Sequence, residues 1–261
     1  MKAIATLCKV SSGRGGKKND NLGALNFAKK DKPAQDNILP ELETYFMAQE
    51  RSLGLNKTQY ENFVYLIKRY SYKGTPLQEH MMKEISPKLG LDYEKLSEEN
   101  ADKHTFAYMM VKNHEIFQQG SYNIEILLCL GFLSCQHHDR QSRMDEFWQL
   151  INPEINDEVP LEKVIDTLRI FIYLAIVLRL KIEKQRTPDD QNNDAINYLQ
   201  KLGAQTYSID EIQDSSVFKL MGMREDQRTE EGKFVNYQEL FQFVNPNRCL
   251  TPFDIRMNVL Q

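Results

Sequence analysis

The chain has 261 residues, of which 41% are hydrophobic and 27% are charged, and its net charge is −4. This length allows one or two hydrophobic cores of ordinary domain size, and the composition is that of a globular protein. Four scattered cysteines without a CxxC pair predict reduced thiols rather than a disulfide framework. The first ten residues contain two lysines and lack a long apolar run, so we expect neither a signal peptide nor a transmembrane helix.

Residues 1–37 form a basic tail. They carry eight basic residues against three acidic ones, a net charge of +5, which leaves −9 for the rest of the chain. Several glycines stand among Lys, Asn and Ser without helical or strand periodicity, and this predicts an extended segment. A basic tail on an acidic body favours an anionic partner such as tubulin, nucleic acid or acidic lipid, while a solubilising role is an equal alternative. The candidate partner-binding residues are Lys2, Lys9, Arg14, Lys17, Lys18, Lys29, Lys30 and Lys32.

Helical periodicity begins after this tail. The pattern predicts helices over 39–52, 57–70, 76–89 (ended or kinked by Pro87), 105–118, about 124–134, 195–202, 209–221 and 252–260. No strand-rich section appears. The basic residues of the body are expected to end helices or face solvent: Lys68, Arg69, Lys73, Arg179, Lys181 and Lys184. A polar stretch from Thr187 to Asp194 predicts a linker between two lobes, 38–186 and 187–261.

The segment from Met144 to Arg186 organises the chain. It predicts a helix, a polar loop from Asn152 to Pro160, and a long helix that begins near Leu161. From Ile170 to Leu178 the long helix is apolar almost all round, so we expect it to lie inside a helical core. These nine residues are too few to span a bilayer.

Two helices around such a loop resemble an EF-hand. With Val159 at the hydrophobic loop position, the first, third, fifth and twelfth positions are Asn152, Glu154, Asn156 and Lys163. The twelfth position of a calcium loop is a bidentate Glu, but here it is a cation. The sixth is Gly, which the sharp turn requires, but here it is Asp157. The framework is therefore similar to an EF-hand that lacks the calcium chemistry.

Two further loops carry the same resemblance. With Tyr122 at the hydrophobic position, Gly120 takes the glycine position, and Ile126 stands where the ligating Glu belongs. Because this unit directly precedes the hand at 144–180, we expect the two to pair over residues 105–182. In the stretch 232–241, Val235 is the loop hydrophobe and Glu239 the twelfth residue, but Arg228 and Glu230 occupy the first and third positions.

The sequence fits none of three other kinds of site: a zinc site, a phosphate loop or a catalytic set. The cluster of Cys135, His137, His138 and Asp139 has no second ligand pair at zinc-site spacing, and it is interpreted as a polar turn. The stretch 11–18 lacks the glycine, the hydroxyl residue and the strand–helix context of a phosphate loop. No GxSxG, HExxH or kinase signature occurs. We therefore predict no enzymatic activity and no catalytic, cofactor-binding or metal-binding residue. Six methionines (Met81, Met82, Met109, Met110, Met221 and Met223) could line a partner groove, but at helical spacing they favour the core.

The resemblance implies an all-α protein built from degenerate EF-hand-like pairs with an extended N-terminal tail. Hands without ligands serve as rigid interaction modules in that superfamily. A basic tail on such a body resembles the microtubule-associated proteins of cilia and flagella. We therefore expect a non-enzymatic structural protein of the cytoplasmic cytoskeleton, in the axoneme of a cilium or flagellum. Its partners would be tubulin and other axonemal proteins in a large assembly, without nucleic acid or membrane.

Two alternatives stay open. The first is a calcium-responsive EF-hand regulator, for which Glu239 with the neighbouring Asp226, Glu230 and Glu231 is the best remaining site. The second is an RNA-binding helical protein with a basic arm, which would bind RNA with a strong dependence on salt. The acidic body argues against the RNA alternative.

Overall fold

The computed structural model is mostly helical, and this confirms the predicted all-α class at that level. It describes residues 38–71, 75–93, 96, 105–187, 193–202, 208–221, 233–244, 246–249 and 251–259. Within these ranges the helices are α1 Ile38–Ser52, α2 Tyr60–Tyr70, α3 Glu79–Ile85, α4 Phe106–Val111, α5 Ile124–Ser134, α6 Arg140–Ile151, α7 Leu161–Ile172, α8 Leu178–Arg186, α9 Asp194–Lys201, α10 Asp214–Met221, α11 Tyr237–Phe243, α12 Pro246–Cys249 and α13 Pro252–Val259. None of the helices in the described part of the chain is long and apolar enough to cross a membrane.

Short strands connect the loops between helices. They are β1 Leu77–Gln78, β2 Phe117–Gln118, β3 Ser121–Tyr122, β4 Glu158–Pro160 and β5 Phe234–Asn236. The first three form an antiparallel sheet in the order β1-β3-β2, and β4 pairs with β5 in a second antiparallel sheet. Leu77 lies opposite Tyr122, and Val159 lies opposite Val235. All four side chains are buried, so each pair joins two loops to the core.

The same local pattern precedes four helices. Each buried strand residue (Leu77, Tyr122, Val159, Val235) stands two positions before the first residue of a helix: Glu79, Ile124, Leu161 and Tyr237 respectively. The predicted pairing of the Tyr122 loop with the Val159 loop is wrong, because each pairs instead with a loop more distant in sequence. The Leu77 loop has no counterpart among the predicted loops.

The long central helix lies where its composition predicts. All residues from Ile170 to Leu178 are at most 6% exposed, which confirms the predicted core position. Helix α7 continues into α8 through one π-helical turn, Tyr173–Val177. Such a turn shifts the hydrogen-bond ladder by one residue, and it can leave a carbonyl group available to another donor.

The predicted helix 105–118 is shorter in the structure, where α4 ends at Val111. The chain then forms a β-hairpin in which Gln119 and Gly120 link β2 to β3, with φ values of 50° and 81°. Positive φ at both central residues is the geometry of the two-residue type I′ turn, which matches the twist of the flanking strands. The glycine that suggested a calcium loop therefore serves a hairpin.

A buried ion-pair cluster joins the first and last described helices. Arg256 on α13 is fully buried and donates to both carboxylate oxygens of Glu43 on α1, from Nε at 2.9 Å and from Nη2 at 2.8 Å. Its Nη1 donates to Glu50 at 2.7 Å and to the carbonyl of Ala175, in the π-helical turn, at 3.3 Å. Tyr198 on α9 donates to Glu43 at 2.8 Å. Burial alone would lower the pKa of Arg256, but the nearby carboxylates outweigh it and raise that pKa.

Arg179 corrects the expectation that it ends a helix or faces solvent. It is 1% exposed, and its guanidinium lies 4.6 Å from the ring centroid of Phe46 and 4.3 Å from that of Phe106. It donates to Gln49 and lies 3.3 Å from the carboxylate of Glu183, one turn along α8. Burial lowers the pKa of Arg179 to about 10, although the charge of Glu183 opposes this. The long helix crosses the core at this point, so a cation on it needs internal partners.

Replacing Arg256 by Met tests the buried cluster. The variant keeps most of the side-chain volume but leaves Glu43 buried without its cation, so we expect a loss of about 3–5 kcal/mol in the free energy of unfolding by urea. Adding Glu43→Gln should recover part of that loss, because the buried charge is then removed. Arg140→Met, at an exposed position on α6, is the control and should change stability by less than about 0.5 kcal/mol. Equal effects at the two arginines would contradict this role.

Candidate functional site

A groove of about 590 Å³ lies between α2, α5, α6 and the first turn of α7. We call it the α2–α5–α6 groove. Its apolar lining consists of Tyr60, Val64, Ile124, Leu128, Leu150 and Pro153, and its polar lining of Glu61, Lys68, Glu125, His138, Ser142, Asp145, Glu146, Gln149 and Lys163. This volume lies within the range of about 300–1,000 Å³ that is usual for binding pockets. The groove therefore combines an apolar floor with a charged rim.

A glycine sets the spacing of the two helices that form one wall. A Cβ atom at Gly131 on α5 would lie 2.3 Å from the ring of Phe63 on α2, so only glycine fits at this contact. Val64 follows Phe63 on α2, and Leu128 lies about one turn before Gly131 on α5. The contact between Gly131 and Phe63 therefore keeps α2 and α5 close together near the groove residues Val64 and Leu128.

A buried histidine lies beneath the groove and orients one of its carboxylates. The side chain of His137 is 2% exposed, with Nδ1 against the Glu146 carboxylate and Nε2 2.8 Å from the carbonyl of Phe132. Both partners are oxygen acceptors, so the two ring nitrogens each lie against one of them. The ring also contacts those of Tyr60 and Phe132, at centroid distances of 5.5 and 5.0 Å. These contacts fix the direction in which Glu146 reaches the groove.

The rejected zinc cluster is dispersed by the fold. Cys135 is buried, and burial raises its pKa well above the ordinary value of a thiol. Asp139 caps α6 by accepting from the backbone N–H of Ser142 at 2.7 Å, and His138 lines the groove. Among the described residues, no three His, Cys, Asp or Glu side chains gather as metal ligands would.

The rim of the groove is acidic on balance. Four carboxylates (Glu61, Glu125, Asp145 and Glu146) face two ammonium groups, those of Lys68 and Lys163. Lys163 forms an ion pair with Glu125. Asp145 accepts hydrogen bonds from Tyr237 at 2.6 Å and from Gln141 at 3.0 Å, both neutral donors. Glu61 is exposed on α2. The rim therefore attracts a cationic ligand.

The loop between α6 and α7 is held by hydrogen bonds from the side chain of Asn152 to the backbone of the same loop. Asn152, at the first predicted ligand position, is 3% exposed. Its Nδ2 donates to the carbonyl of Asn156 at 2.6 Å, and its Oδ1 accepts from the N–H of Asn156 at 2.9 Å. Lys163, at the twelfth position, is held by Glu125. In a calcium loop the side chains at the first and twelfth positions bind the ion, but here Asn152 bonds the loop backbone and Lys163 pairs with Glu125.

A lysine lies beside the three-stranded sheet. The Lys112 side chain is 3% exposed, and its Nζ lies 3.8 Å from the ring centroid of Phe117 and pairs with Glu79. Tyr93 also donates to Glu79, at 3.0 Å. Burial raises the pKa of Glu79, but the hydrogen bond and charge of Lys112 outweigh it, so the pKa lies below its ordinary value. An internal ammonium group therefore holds the first pair of loops together.

Some of the predicted site residues lie within the described ranges and others lie outside them. All eight tail cations lie outside them, as do Asp226, Glu230, Glu231, Arg228 and Met223. Glu239 caps its own helix: its carboxylate accepts from the N–H of Asn236 at 3.1 Å, while the Asn236 side chain accepts from the N–H of Glu239. Met82, Met110 and Met221 are core residues, as predicted.

The sequence does not predict the groove. Its apolar residues Val64, Ile124, Leu128 and Leu150 come from three helices, and each belongs to a stripe that also supplies the core. In the sequence, such a surface is indicated only by an apolar stripe on a helix that is wider than the part buried in the core. Which part of the stripe stays uncovered depends on how the helices pack.

Substitution of Ile155 tests whether the backbone of the loop between α6 and α7 is strained. It is 87% exposed and has a φ of 57°, a region that β-branched residues rarely adopt. Ile155→Asn should raise the free energy of unfolding by about 1 kcal/mol, because Asn tolerates this conformation and little apolar burial is lost. Ile155→Val, which keeps the branched Cβ, is the control and should give no gain. Urea unfolding measures both, and a loss of stability in the Asn variant would contradict the assignment of strain.

Glu79 gives a pH-dependent test. Because its pKa is lowered in the folded protein, its contribution to stability is complete above the unfolded value of about 4.3 and is lost as the pH falls through the folded pKa. Glu79→Gln should cost about 1 kcal/mol at pH 7, a small value because Glu79 is partly exposed, and much less at pH 3. Glu162→Gln, on the exposed face of α7, should show no such dependence. A cost for Glu79→Gln that stays constant from pH 7 to pH 3 would exclude the ion pair as its source.

No protein-family model matches the chain. No curated protein matches its sequence, and no solved structure matches its fold. A function must therefore be inferred from the chain's own residues and contacts.

Proposed function

We propose that the protein is a non-enzymatic interaction protein whose body contains four EF-hand-like helix–loop–helix units, none with an intact set of calcium ligands. The units are α2–α3, α4–α5, α6–α7 and α10–α11. The supporting observation is the antiparallel pairing of their loop hydrophobes, Leu77 with Tyr122 and Val159 with Val235. Short bridges of this kind are what paired EF-hand loops are expected to form. On this proposal the units pair as first with second and third with fourth.

The contacts inside the loops favour a structural role over calcium sensing. Asn152 bonds the backbone of its own loop, Lys163 stands at a ligand position, and Lys112 pairs with Glu79 beside the first two loops. The calcium-responsive alternative depends on Glu239, whose carboxylate caps its own helix. Its other carboxylates lie outside the described residues. A calorimetric titration with millimolar calcium distinguishes the two functions, since binding heat would favour the regulator.

Two surfaces are available to partners on this proposal. One is the α2–α5–α6 groove, with its apolar floor and acidic rim. The other is the basic tail of residues 1–37, with a net charge of +5 from eight basic and three acidic residues. Tubulin is strongly acidic, so we propose that the tail attaches the protein to microtubules, in the axoneme of a cilium or flagellum. The choice of this partner rests on charge and on the resemblance to axonemal proteins.

Co-sedimentation with microtubules tests this attachment. The full-length chain should pellet with microtubules at low ionic strength and be released toward 0.15 M salt, where the screening length falls to about 8 Å. Replacing all eight tail cations by Gln should weaken binding at least about tenfold, equivalent to about 1.4 kcal/mol.

A control of equal charge change is available on the body. Eight exposed cations there can be replaced by Gln: Arg51, Lys57, Lys68, Lys88, Arg140, Lys184, Lys201 and Lys219. This variant should bind more tightly than the tail variant at every salt concentration. Equal losses in the two variants would reject a specific role for the tail. If the unaltered chain fails to pellet at low salt, microtubules are not its direct partner.

A further inference from the structure

The α2–α5–α6 groove specifies the chemistry of its occupant. The floor is apolar, formed by residues such as Val64, Leu128 and Leu150, so the ligand must present apolar side chains. Glu125 and Glu146 already have partners in Lys163 and His137, which leaves Glu61 and Asp145 against Lys68 on the rim, so a cationic ligand is favoured. A short peptide with both properties fits such a surface.

One segment of the chain itself has this composition. Residues 22–32 contain three large apolar side chains (Leu22, Leu25 and Phe27), followed by Lys29, Lys30 and Lys32 with one acidic residue, Asp31. Their net charge of +2 is opposite to the balance of four carboxylates and two lysines on the groove. We propose that residues 22–32 dock in the α2–α5–α6 groove, with Phe27 on the apolar floor and the lysines against Glu61 and Asp145.

The connection to the body is long enough. Phe27 precedes the first residue of α1 by eleven positions, and extended chain covers up to about 3.4 Å per residue, or about 37 Å. Helix α1 has 15 residues and a length of about 22 Å, and a short turn of chain then leads to Tyr60 at the edge of the groove. The reach of Phe27 from the start of α1 is therefore longer than α1 itself.

A tethered segment needs only weak intrinsic affinity. Linkage through the five residues 33–37 keeps it near the groove at an effective concentration in about the millimolar range, so intramolecular docking precedes capture of a dilute free peptide. Docking removes Lys29, Lys30 and Lys32 from the eight cations that the tail offers to other partners. The groove would then regulate how much of the tail is available, and this holds for any anionic partner, including but not restricted to microtubules.

Site-specific photo-crosslinking in the full-length protein tests the docking without microtubules. Benzoylphenylalanine replaces Phe27, the sample is irradiated, and the cross-linked peptides are identified by mass spectrometry. The expected products join residue 27 to peptides from α2, α5 or α6 that contain Val64, Leu128 or Leu150. The same probe in place of Ser12, in the tail but outside the segment, should give few of these products.

Charge reversal then separates specific docking from random collision. Glu61→Lys, at an exposed position, should lower the cross-link yield about two- to fivefold, the effect of a single exposed ion pair. Glu162→Lys, exposed on α7 and outside the groove, should leave the yield unchanged. Reversing Lys29 and Lys30 to Glu should also lower the yield, and combining this change with Glu61→Lys should restore part of it.

Two outcomes would overturn the proposal. The first is cross-links that are confined to surfaces outside the groove, or a groove yield that Glu61→Lys and Glu162→Lys change equally. The second is the appearance of cross-links between a labelled and an unlabelled chain when the experiment uses an equal mixture of ¹⁵N-labelled and unlabelled protein. Mixed-isotope groove cross-links would assign the groove to the tail of a second copy. Groove cross-links within single chains, sensitive to Glu61, would establish the intramolecular contact even if the chain does not bind microtubules.

Discussion

The contact between Arg256 and Glu43 determines how the two ends of the described chain meet. A buried guanidinium is stable only when its donors are satisfied and its charge is balanced, and here Glu43, Glu50 and the carbonyl of Ala175 do both. The residues of the Arg256–Glu43 pair are separated by 213 positions. Helix α13 must therefore lie against α1 and the central helix at the same time, and residues from both predicted lobes contribute to one apolar core.

Three buried cations of the described chain each have a carboxylate partner and an aromatic neighbour. Lys112, Arg179 and Arg256 are each almost fully buried, each has a carboxylate partner, and each lies over at least one aromatic ring. Aromatic faces attract cations, and they also exclude water from the ion pair. The fold thus uses its own cations and amides to hold together loops and helices.

The groove follows from the same packing. Gly131 lets α5 approach α2 closely, and the buried His137 holds Glu146 at the rim, so the apolar floor and the acidic edge are set by residues that are themselves core. Such a surface is already formed before a ligand arrives, which lowers the entropic cost of binding. Its acidic balance is opposite in sign to the net charge of +5 that the sequence of residues 1–37 carries.

Periodicity alone determined much of the architecture. The helical class and the core position of Ile170–Leu178 follow from local patterns, because local patterns report which faces are buried. The loop positions of Tyr122, Val159 and Val235 were predicted instead from the resemblance to EF-hand loops. The partners of the loop strands, the burial of Arg179 and the groove were decided only by tertiary structure. Strands of two or three residues carry too little pattern to specify a partner, and their pairing follows the packing of the helices beside them. A buried arginine has the same local sequence signal as an exposed one, and only the arrival of Phe46, Phe106 and Glu183 around it makes its burial possible.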